Sequence, residues 1–162
     1  MEKNELFLKT VFCCMACDGD IADEEVDVIK NVSASDDTFK GLDIKTLLDK
    51  WVKEINANGK LFLKNYLNEV PETELTEEEQ LRVIDLALKT IEADNIIKYS
   101  EVKFFKKIRF RLPVSDDAIL KKYPDKEDME DYLLPDIMVK DDPTLAEVHF
   151  DNIILDNNIK TN

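Results

Sequence analysis

The sequence predicts an all-α fold: a bundle of about seven helices with an internal repeat, followed by an irregular acidic C-terminal extension. Three observations carry this expectation. Apolar residues recur at three- and four-residue spacing in one segment after another, and nothing before Tyr123 alternates at the period of a strand. Only 3 Gly and 5 Pro occur in 162 residues, too few turn formers for many short strands. Finally, the stretch Cys14 to Ile29 reads as a helix end, a tight acidic turn and a helix start, and a weaker copy follows at Glu92 to Ile108. One constant offset of 76 positions relates Asp18 to Asp94, Ile21 to Ile97 and Glu25 to Glu101. Self-similarity at a fixed spacing marks a repeated helix–turn–helix unit.

The first helix is expected over Asn4 to Cys17, with Leu8, Val11, Phe12 and Met15 on an apolar face. Gly19 supplies the left-handed conformation that commonly ends a helix. Asp23, Glu24 and Glu25 open the second helix, where negative charge suits the positive end of the dipole, and Val26 and Ile29 are its inner residues. Asn31 to Lys40 reads as a loop. Asp43 caps a third helix that carries Ile44, Leu47, Leu48, Trp51, Val52 and Ile55 inward. Asn58-Gly59 interrupts the pattern. A fourth helix then presents Leu63, Tyr66, Leu67 and Val70 and stops before Pro71.

The fifth helix opens with a capping box, Thr76 to Glu79. Leu81, Ile84, Leu88 and Ile91 line its inner face, and it ends near Asp94. The sixth turns Phe105, Ile108 and Leu112 inward and Lys103, Lys106, Lys107, Arg109 and Arg111 outward, until Pro113 stops it. Ser115 caps a short seventh helix with Ile119, Leu120 and Tyr123.

Composition changes at Pro124. Residues 1–123 are therefore read as the helical domain and 124–162 as an acidic extension packed on the bundle. The extension carries 11 acidic residues against 3 lysines, whereas the first 123 residues carry 25 acidic against 19 basic. Pro135 and Pro143 exclude one long helix. The clusters Leu133-Leu134, Ile137-Met138-Val139 and Ile153-Ile154-Leu155 suit docking on a groove, and the basic outside of the sixth helix is the expected ground for it.

A net charge of −14 argues against a broad basic face for nucleic acid and favours cations or a basic partner. The longest apolar run, Val11 to Cys17, falls far short of the roughly 20 residues of a bilayer span. Glu2 and Glu5 sit where a signal peptide would be basic, so the expected location is cytoplasmic. Cys13, Cys14 and Cys17 crowd one helix, an odd number with no distant partner, and read as small buried residues. A structural zinc site needs four ligands, usually two pairs like Cys14 and Cys17, and His149, the one histidine, lies in the extension. Gly19, Gly41 and Gly59 are isolated and form no phosphate loop. Nothing points to an enzyme; a protein partner is expected instead.

The acidic turns remain. Asp18, Asp20, Asp23, Glu24 and Glu25 crowd the first, and carboxylates on a turn suit a hard cation. If the two units pack about a local two-fold, Asp18, Glu25, Asp94 and Glu101 converge, and calcium, magnesium or manganese would relieve their repulsion. The EF-hand template fails: counting from Asp18, Ala22, Asp23 and Ile29 stand where an oxygen ligand, a glycine and the final glutamate belong. A local reading competes and carries somewhat more weight, in which each carboxylate accepts hydrogen bonds from amides of its own turn or of the next helix's first turn.

The pattern ACDGDIADEE, echoed as EADNIIKYSE, resembles the tellurite-resistance TerB-like family. The resemblance covers about residues 1–123 and implies an all-helical domain of two similar halves, each with an acidic turn followed by a glutamate. Residue by residue it reaches Asp18, Gly19, Glu25, Asp94 and Glu101, where it implies a metal site; Asn95 stands where the second turn would have glycine. It further implies an interaction or sensing module in a bacterial stress response. The alternative, drawn from charge, is a small acidic inhibitor or immunity-type protein that masks a basic partner surface.

Overall fold

The computed structural model describes residues 2–17, 19, 27, 29, 31, 39, 41–93, 98–126 and 129–133. Among them there is no strand, and seven helices pack around one apolar core. They are α1 (Lys3–Ala16), α2 (Ile44–Ala57), α3 (Gly59–Glu72), α4 (Glu77–Ile91), α5 (Tyr99–Phe110), α6 (Asp116–Lys122) and α7 (Met129–Leu133). Asp27, Ile29 and Asn31 also have helical backbone; the first two fall in the second helix read from the sequence, whereas Asn31 stands in the expected loop.

Helix α1 is the axis of the bundle. The sequence suggests one apolar face for it, yet every residue from Leu6 to Ala16 is buried. The reason is composition: Leu6, Phe7, Cys13 and Cys14 make its other sides apolar as well, and a helix apolar all round belongs inside. The three cysteines are buried thiols, and burial pushes the Cys13 thiol well above its usual range. Trp51 of α2 is core, with its ring 5.8 Å from that of Phe12.

Caps set the boundaries. Asn58 serves two helices: its backbone N–H donates to Glu54 O at the end of α2, and its side-chain oxygen accepts the Leu61 N–H at 3.1 Å to start α3. The Thr76–Glu79 capping box is complete, with bonds of 2.9 and 3.2 Å. Ser115 accepts the Ala118 N–H at 3.1 Å and starts α6.

Three more expectations change. α3 does not stop before Pro71 but runs through it to Glu72. Proline there removes only one donor of the final turn, and Thr73 closes the end by donating both its N–H and its hydroxyl to Glu69 O. Phe39, inside the expected loop, is a core residue. Lys107, expected on the basic outside of the sixth helix, is buried. It flanks the inner row of Phe104 and Ile108, where the aliphatic stem of a lysine can lie along apolar surface.

Of the acidic extension, residues 124–126 and 129–133 are described, and the latter form α7. Met129 and Tyr132 join the core, with the Tyr132 ring 5.3 Å from Phe105 of α5.

Candidate functional site

Helix directions decide where the acidic turns depart. α1 and α3 are antiparallel, because Lys9 meets Glu69, Thr10 meets Tyr66 and Phe12 meets Phe62. The short link after α3 then starts α4 beside the start of α1, where Lys3 reaches Glu79 at 2.9 Å. α1 and α4 are therefore parallel neighbours of nearly equal length, 14 and 15 residues. Their C-terminal ends, from which the first and second acidic turns leave, lie at the same end of the bundle.

The packing respects the repeat offset. Phe7 and Val83, Leu8 and Ile84, Val11 and Ala87, Phe12 and Leu88, Met15 and Ile91, and Ile29 and Phe105 are each 76 positions apart, the separation of the Lys3–Glu79 ion pair itself. Every one of these side chains is buried.

Around that end the described residues form a polar rim on an apolar core. At the first turn, Gly19 has φ +86°, a left-handed conformation that a side chain would strain, and its N–H donates to Ala16 O at 2.9 Å. At the second, Glu92 closes α4. Lys126 pairs with the Glu92 carboxylate, and the Tyr132 hydroxyl lies 3.4 Å from it. Glu101, in the first turn of α5, is only 4% exposed, and it is the one acidic side chain buried among the described residues. Its Oε1 accepts the Lys98 N–H at 3.0 Å. Lys98 has no side-chain acceptor, so only the glutamate half of a capping box forms here.

Of the four residues read as cation ligands, Glu101 is thus placed at the shared end. Asp18, Glu25 and Asp94 lie outside the described residues, as do Asn95 and His149. The Lys98–Glu101 bond is the local arrangement that competes with a cation, and it occupies one carboxylate oxygen with one amide.

Other chemistry-bearing groups serve the interior. Lys9 lies 3.0 and 3.1 Å from the two Glu69 oxygens and 4.8 Å from the Phe62 ring centre. Nothing in the sequence singles out this pair, beyond a lysine set in an otherwise apolar helix. A groove at the opposite end, lined by Val70, Pro71, Leu75, Gln80 and Leu112, has its amide committed: Gln80 donates to Leu75 O and accepts the Val114 N–H at 2.7 Å. Among the described residues, no helix is long and apolar enough to cross a membrane. No protein-family model, curated protein or solved structure matches this chain.

Proposed function

We propose that the chain is a non-enzymatic interaction or sensing module of the TerB-like kind, serving a bacterial stress response, with a divalent cation shared between its two acidic turns. The observation that carries this reading is the parallel pairing of α1 and α4, which brings the departure points of both turns to one end of the bundle. Glu101, buried beside that end, supports it as well. A divalent cation of this kind takes oxygen ligands, and a carboxylate is a usual donor.

Thermal melts of the full chain test the reading. Calcium, magnesium or manganese at about 100 times its Kd is expected to raise Tm by about 5–10 °C, by binding the folded state preferentially. Glu101→Gln separates the two readings of the turn. The amide oxygen still accepts the Lys98 N–H, so that bond is kept, while a ligand charge is lost. The cation response is expected to collapse in this variant and in Asp18→Asn. A full response in both would refute a shared site.

A further inference from the structure

Helix α5 carries a face turned away from the core. Tyr99, Lys103, Lys106 and Phe110 follow one another at helical spacing, opposite the buried row of Glu101, Phe104, Phe105 and Ile108. Tyr99 and Phe110 are 63% and 56% exposed, two of the three large apolar side chains at the surface among the described residues. Eleven residues apart, they bracket about 16 Å of helix. Between them the Lys103 ammonium lies 4.5 Å from the Tyr99 ring centre, and neither Lys103 nor Lys106 has a carboxylate partner among the described residues. The result is a cationic strip with an aromatic anchor at each end, on a chain of net charge −14.

We propose that this face is the docking surface for residues 134–162 of the same chain. The segment itself lies outside the described residues. Position and composition argue for it. α7 packs on α5 through Tyr132 against Phe105, on the side of that helix away from the strip, and the 29 residues that follow Leu133 are long enough to come round to it. These residues carry six carboxylates against two lysines, interleaved with Ile137-Met138-Val139 and Ile153-Ile154-Leu155. Acidic side chains meet the two lysines, and apolar clusters meet the two aromatic anchors. Tethering raises the local concentration to the millimolar range, so weak contacts suffice. An anionic membrane or an acidic partner would instead have to overcome the charge of the whole protein. A second copy presenting the same strip would set lysine against lysine.

Zero-length carbodiimide crosslinking of the full-length monomer, read by mass spectrometry, tests the proposal. Lys103 or Lys106 is expected to couple to Asp136, Asp141, Asp142 or Glu147, with a yield that falls about fivefold from low to roughly 0.5 M salt as screening lengths shrink. In the double variant Lys103→Glu/Lys106→Glu, hydrogen exchange across 134–162 is expected to rise about threefold or more, with the bundle's own exchange unchanged. Tyr99→Ser/Phe110→Ser is expected to act likewise through the apolar anchors. Crosslinks from these lysines to the bundle alone, crosslinks only between two chains, unaltered exchange in both variants, or capture of the strip by added anionic vesicles would each overturn the proposal.

Discussion

Lys9 is a charge in the middle of an apolar helix, tolerated because three groups answer it. Glu69 offers both oxygens, and the rings of Phe62 and Trp51 lie 4.8 and 6.0 Å away. Breaking such a pair costs more than the pair contributes, because one charge stays buried alone. Glu69→Ala is expected to destabilise the fold by about 3 kcal/mol, whereas Lys9→Met combined with Glu69→Gln recovers most of that loss. Urea unfolding of the three chains checks both. Asp85 governs part of the acid response. Burial works against its carboxylate, but hydrogen bonds from Lys89 and Tyr123 outweigh this and hold it below the usual range. A depressed carboxyl contributes stability above its unfolded-state value and loses it as pH falls through the folded value. Tyr123→Phe should therefore be less stable than the parent at pH 7, by about 1 kcal/mol. The gap should close as pH drops below about 4, which unfolding curves across pH can follow.

At the scale of the element, α7 carries the sharpest prediction. It is a five-residue helix in an acidic stretch, yet Met129 is fully buried and Tyr132 is 4% exposed. Tyr132→Ala is expected to cost about 3 kcal/mol by opening a cavity against Phe105, while Glu130→Ala, on its exposed side, should cost almost nothing. Thermal melts of the two variants distinguish a core element from a loose appendage. The same element shows where sequence reading runs out. Helices with caps and a long periodic face were legible: Asp43 and the Leu48–Trp51–Ile55 face for α2, Thr76 and Glu79 for α4, Ser115 for α6. α7 was not, because five residues hold little more than one turn and acidic composition masks two inward side chains. Lys107 misled for a related reason. A lysine at the flank of an apolar row reads as surface until its neighbours are known to cover it.

At the scale of the molecule, the fold places two similar helices side by side and pointing the same way. The 76-residue offset was legible in the sequence, but the relative direction of α1 and α4 was not. Direction depends on which helices neighbour which, and it follows here from the antiparallel run of Lys9, Thr10 and Phe12 along Glu69, Tyr66 and Phe62. That arrangement gives the acidic turns a common origin, and it turns the proposed cation from two local events into one. The most direct test is the stoichiometry of manganese binding to the full chain, measured by electron paramagnetic resonance. A shared site predicts one ion per chain, and it predicts that Asp18→Asn or Asp94→Asn alone removes it. Two ions per chain with one retained in each variant, or no bound manganese at all, would contradict it.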